Sequence, residues 1–140
     1  MFPIKLSVAM IGFFGLLIAG HPEAWGVDWK EYGKTDYGEF FYDAGSIKRP
    51  SENVIRVWTK TVYTKNDSLR MQIEYGEHYE NVSYSVTLWE INCPAKMYHF
   101  LSVQDCSREG AVLFSEEMKR EWNFFAPGSI DETLCRIVCQ

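Results

Sequence analysis

The sequence has no excess of positive charge, no apolar run long enough to span a membrane, and no paired-cysteine metal spacing. Fourteen Lys and Arg stand against 19 Asp and Glu, a net charge of −5. That sign speaks against nucleic acid and anionic lipid surfaces as partners. Nucleophile elbow, phosphate loop and zinc motif are all missing, and with them the common signatures of hydrolases, nucleotide-binding enzymes and metalloenzymes. Histidines are scarce. His21 falls in the N-terminal leader, leaving His78 and His99. Glu74 and His78 share the i,i+4 spacing of two ligands on a helix, but without a third ligand they read as a solvated face. His99, between Tyr98 and Phe100, reads as a packing residue. No catalytic residue, metal ligand or cofactor is expected, and the chain reads as a non-enzyme. It has no internal repeat and no low-complexity tract.

The N-terminal segment "MFPIKLSVAMIGFFGLLIAGHPEAWG" places Lys5 ahead of an apolar run from Leu6 to Ala19. This run falls short of the ~20 residues of a transmembrane helix and fits the apolar centre of a secretory signal peptide. Cleavage after Gly26 puts small residues, Ala24 and Gly26, at both recognition positions. Cutting after Ala19 or Gly20 would put Leu17 or Ile18 at one of them. The reading is a signal peptide over 1–26 and one domain over 27–140. No cysteine lies near the cut for lipidation, so no stable membrane anchor is expected after cleavage. The expected location is the periplasm, the outer surface or the medium.

All four cysteines, Cys93, Cys106, Cys135 and Cys139, lie in the second half. An even count in an exported chain favours disulfides over metal ligands. Aromatics make up 16% of the chain and favour strands over disorder. Strands are read in "EFFYDAGSI" (39–47), "NVIRVWTKTVYT" (53–64), "SYSVTLWEINC" (83–93), "MYHFLSVQDC" (97–106), "AVLFS" (111–115) and "EWNFF" (121–125). In the second of these, Ile55, Val57, Thr59 and Thr61 face one way and Arg56, Trp58 and Lys60 the other. In "SYSVTLWEINC" the apolar phase switches near Leu88–Glu90, which predicts a bulge or a sheet covered on both faces there.

A helix is expected over 66–79, capped by Asp67 or Ser68, with Leu69 and Ile73 at i,i+4 and Arg70 paired to Glu74. A second follows Ser129, whose spacing to Glu132 is that of a capping box. It sets Leu134, Cys135, Val138 and Cys139 on or near one face. Strands joined by short turns, without a βαβ rhythm, predict an α+β fold: an antiparallel sheet of about six strands with the C-terminal helix packed on one face.

So short a helix is marginal alone. A bridge from Cys139 to Cys93, whose strand neighbours Trp89 and Ile91 offer an apolar bed, would hold it on the sheet. It would close a loop of about 46 residues, worth ~4 kcal/mol in the chain-entropy model. The pair Cys106 and Cys135 stays open. Even parity favours a second bridge. A straight hairpin tipped by Ala95-Lys96, with Cys93 opposite Tyr98, sets Cys106 ~26 Å from Cys93. Two bridges would span only about 20 Å, so the second needs strong strand curvature.

The runs "IRVWTKTVY" (55–63), "YSVTLWEINC" (84–93), "EWNFFAPGS" (121–129) and the terminal "VC" (138–139) resemble the bacterial surface-adhesin protein E family over about residues 27–139. The resemblance implies a six-stranded antiparallel sheet with a C-terminal helix tethered to its concave face by a disulfide, here Cys93–Cys139. It also implies an extracellular-matrix protein as partner, since the family's type member is an outer-membrane lipoprotein that binds vitronectin and laminin. This sequence departs from it in lacking a lipidation cysteine and in adding Cys106 and Cys135. The function expected is an exported, adhesin-like module engaging a protein partner at the cell surface or in the envelope. The alternative is a soluble periplasmic accessory or inhibitor protein acting on an envelope enzyme or assembly. Assembly as a homodimer is compatible with either. The candidate binding patch is Arg56, Trp58 and Lys60, a flat aromatic between two cations suited to a carboxylate-bearing or aromatic partner.

Overall fold

The computed structural model of the chain describes residues 27–140. The expected signal peptide, 1–26, lies outside the described residues. Eight antiparallel strands form one sheet: β1 (Trp29–Lys34), β2 (Gly38–Asp43), β3 (Lys48–Ser51), β4 (Val54–Tyr63), β5 (Val82–Asn92), β6 (Met97–Ser107), β7 (Val112–Glu117) and β8 (Asn123–Phe124). The order across the sheet is β1-β2-β4-β5-β6-β7. Two short strands extend these positions: β3 continues the place of β2 along β4, and β8 lies beside the start of β6. The two helices are α1 (Lys65–Tyr75) and α2 (Ile130–Val138). The expected α+β sheet of six positions with a terminal helix is the architecture found.

The alternation of β4 sets the facing of the whole sheet. Ile55, Val57 and Thr59 are buried on the side of α2, opposite Ile91, Trp89 and Thr87 of β5. Helix α2 lays Leu134, Cys135 and Val138 onto Val57, Trp89 and Ile91, and Tyr32 and Phe125 complete this core. Trp89 is its centre. The indole ring meets Tyr98 at 5.1 Å and Phe100 at 4.6 Å, and its Nε1–H donates to Thr59 Oγ1 at 2.8 Å. At the other side of the core, Gly33 lies under Ile130. A Cβ there would stand 2.6 Å from Ile130 Cδ1, so a larger residue would have to displace the Ile130 side chain.

Ser129 caps α2 by accepting from the Glu132 N–H at 3.1 Å. The return half of the capping box is displaced by one residue, because Glu132 accepts from Gly128 N–H. Cys93 and Cys139 form the disulfide, with their Cα atoms 5.6 Å apart. Cys106 is the register partner of Tyr84 on the face away from α2, whereas Cys135 packs beneath α2. Their sulfurs are not joined in this structure.

Several expectations are corrected. The β5–β6 hairpin turns over residues 93–96, so Ile91, and not Cys93, stands opposite Tyr98. The turn closes through Lys96 N–H to Cys93 C=O, with Lys96 at φ 52° and the Asn92 side chain accepting from Ala95 N–H. The phase switch in β5 has both causes considered above. The register shifts between Leu88 and Trp89, and both faces are buried at Trp89, Glu90 and Ile91. Helix α1 begins earlier than expected, capped by Thr64, and ends at Gly76 (φ 100°), after which residues 77–79 form a single 3-10 turn. It buries Asp67 and Met71, while Leu69 and Ile73 face solvent. Asp67 can be buried because Arg70 pairs with it at 2.9 Å; Arg70 also pairs with Glu74 at 3.0 Å, as expected. The last expected strand, 121–125, shrinks to Asn123–Phe124.

Candidate functional site

Arg56, Trp58 and Lys60 lie on the face of β4 turned away from α2, as the alternation requires. Trp58 is half-buried between them, and its backbone N–H donates to Ser46 Oγ at 3.0 Å. Both cations are engaged within the chain. Arg56 Nε meets Glu90 Oε2 at 2.7 Å. Lys60 Nζ stands 4.4 Å from the centre of the Tyr84 ring and 5.8 Å from that of Trp29, close enough for cation–π attraction. The patch is therefore a partly neutralised surface, not a pair of idle charges.

Behind Arg56 lies a buried ionic group. Glu90 is 5% and His99 2% exposed, and His99 Nε2 stands 2.8 Å from Glu90 Oε1. The contact is a close approach off the hydrogen-bonding axis, and His99 Nδ1 has no hydrogen-bond partner among the described residues. Burial alone would raise the Glu90 carboxyl. The Arg56 hydrogen bond and charge, with His99 beside them, outweigh it and hold the group below the usual carboxylate range. Trp122 closes over this group, its ring edge-on to His99 at 4.3 Å. His99 is thus a packing residue with an ionic neighbour, as its sequence setting suggested.

The other histidine pair does not assemble. Glu74 is held by Arg70 on α1, whereas His78 lies beyond the Gly76 break and packs its ring on Tyr79 at 4.8 Å. Among the described residues no group of three or more His, Cys, Asp or Glu could hold a metal ion.

Two features were not foreseen. The first is the margin formed by β7 and β8. Val112, Phe114, Met118, Trp122 and Phe124 are all substantially exposed, Phe124 at 73%. β7 is also the last strand in the order of the sheet, so among the described residues its outer backbone edge has no neighbouring strand. A sequence signal was present, since residues 112–124 carry large apolar side chains without the regular alternation of a half-buried strand.

The second is a groove on the α2 face, between α2 and α1, with a cavity volume of about 620 Å³. Thr59, Thr61, Ser85 and Thr87 line it from the two central strands, with Trp89 and Phe100 on the α2 side and Met71, Tyr75 and Tyr79 on the α1 side. At the α1 end Tyr79 Oη donates to Asp105 at 2.7 Å, Ser85 Oγ bonds to the same carboxylate, and Tyr63 Oη bonds to Ser85 Oγ. Burial, only partly offset by the Ser85 hydrogen bond and reinforced by the nearby Asp105 charge, pushes the Tyr63 hydroxyl up to about 12. The hint in the sequence was the run of hydroxyls on the core-facing phase of β4 and β5, polar where a fully covered face would be apolar.

The sequence pattern of the surface-adhesin protein E family matches residues 29–140. No match was found among curated proteins or among solved structures. No helix among the described residues is long and apolar enough to cross a membrane. The matched span takes in the whole sheet, α2 and both cysteines of the tether, and the chain belongs to the surface-adhesin protein E family.

Proposed function

We propose that this protein is an exported, non-enzymatic binding module that engages a protein partner at the cell surface or in the envelope. Family membership supports an adhesin-like surface protein. The observation that carries the finer reading is the β7–β8 margin. Five large apolar side chains exposed within residues 112–124, from β7, β8 and the segment joining them, beside a strand edge that pairs with no other described strand, are what a protein interface offers before it is covered. The Trp58 face is the second candidate surface, with Arg56 and Lys60 already ordered around the ring by their partners in the chain.

The test combines location with binding. Fractionated cells are probed for the protein, and the purified chain is titrated onto immobilised vitronectin and laminin, the matrix proteins that the family resemblance implies. Recovery at the outer surface or in the medium, with saturable binding to a matrix protein, is the expected result. Recovery only from the periplasm, without matrix binding, would replace the adhesin reading by the accessory or inhibitor one.

A further inference from the structure

The groove between α1 and α2 has a one-sided charge. Its lining holds two carboxylates, Asp105 and Asp131, no Lys or Arg, and one histidine, His78. Asp105 is 8% exposed and is satisfied only by neutral donors, Tyr79 and Ser85. No cation among the described residues pairs with it or with Asp131. A carboxylate withdrawn from water and given no counter-ion keeps a strong attraction for a cation. Burial raises the hydroxyls of Tyr32 and Tyr98, and the charge of Asp131, in the first turn of α2, raises both further.

The two carboxylates mark opposite ends of the groove. Asp105 lies in register with Ser85, toward α1, whereas Asp131 belongs to α2, whose core residues rest on Trp89. Ser85 and Trp89 are about 13 Å apart along β5, at ~3.3 Å per residue. Between them the surface is hydroxyls flanked by rings, which suits methylenes and also places π-faces near a passing ammonium. The cavity volume lies within the usual range for a small-molecule site, roughly 300–1,000 Å³.

We propose that this groove binds a linear polyamine, with one terminal ammonium at Asp105, the other at Asp131, and the methylene chain across the hydroxyl and aromatic floor. Phe114 lines this groove as well as the β7–β8 margin, but neither carboxylate belongs to the margin, and the proposal does not depend on the protein-partner reading.

Calorimetric titration of the full chain with spermidine tests it. Saturable one-to-one binding is expected, with at least tenfold weaker binding of butylamine, which has a single ammonium. Asp131→Asn, at a half-buried helix position, is expected to weaken spermidine at least tenfold while leaving thermal unfolding nearly unchanged. Asp105→Asn should weaken it as well, but this side chain is buried in a hydrogen-bonded group, so Asp131→Asn is the deciding variant. Phe124→Asp should leave spermidine binding unchanged, which separates failure at this site from failure of the margin. Absence of saturable binding, equal affinity for butylamine, or unchanged affinity in Asp131→Asn would overturn the proposal. So would a lysine-bearing peptide that binds more tightly than spermidine, because the occupant would then be a basic protein segment.

Discussion

Cys139→Ser is expected to lower the free energy of unfolding by about 4 kcal/mol, the chain-entropy value for a loop spanning 46 positions. Helix α2 has nine residues, too few to persist alone in water, and the bridge sits at its C-terminal end, where fraying would otherwise begin. Ser129 secures the other end. The expected result is a fall in the denaturant midpoint with a modest rise in slope, since the unbridged unfolded chain is more open, and the same changes for the wild-type chain under reductant. Reductant should do nothing further to Cys139→Ser. A variant within about 1 kcal/mol of wild type would show that packing alone holds α2, since the loop-entropy contribution is several times larger.

Trp89→Ala should cost a similar amount, about 4 kcal/mol, by a different route. The indole is 4% exposed and joins three parts of the fold: Tyr98 and Phe100 on β6, the underside of α2, and Thr59 on β4. Removing so large a buried ring loses its transfer energy and leaves a cavity that neighbouring rings fill only in part. Trp89→Phe keeps a ring and forfeits the bond to Thr59, so a loss nearer ~1–2 kcal/mol is expected. Equilibrium urea unfolding of the three proteins separates these contributions. A loss below about 1 kcal/mol for Trp89→Ala would mean that the α2 core is not the pivot of stability, given the 3–5 kcal/mol usual for such truncations.

Legibility in the sequence followed the strength of local pattern. The period-2 run of β4 assigned Ile55, Val57 and Thr59 to one face and Arg56, Trp58 and Lys60 to the other, because Val, Ile and Thr alternate there without interruption. Ser129 and Glu132 marked the start of α2 because capping chemistry is local. Strands β1 and β3 were not read at all. "WKEYGK" and "KRPS" carry a glycine, a proline and several charges, and they become strands only because β2 and β4 offer them edges to pair with.

Helix α1 was found, but the face it buries was not legible. Its apolar side chains are few, and the Asp67–Arg70 pair lets a carboxylate go inside while Leu69 and Ile73 stay out. The hairpin turn was misplaced because its left-handed position is filled by Lys96, where a glycine would have marked it. The binding surfaces were the least legible part. The Trp58 patch could be seen because its three residues share one strand. The margin needs β8 brought beside β6, and the groove needs Asp105 and Asp131 brought to one face from distant parts of the chain.

The central claim, that a protein partner is held at the β7–β8 margin, is tested most directly by Phe124→Asp. Phe124 is largely exposed, so a carboxylate there should leave thermal unfolding within about 0.5 kcal/mol of wild type, as usual for surface changes. Affinity for the matrix protein that the wild-type chain binds should meanwhile fall by at least tenfold, because the apolar contact is lost and a charge must be desolvated. Trp58→Ala, measured alongside, should change that affinity less than threefold. Phe124→Asp binding with wild-type affinity, while Trp58→Ala abolishes binding, would contradict the account and move the interface from the β7–β8 margin to the Trp58 patch on β4.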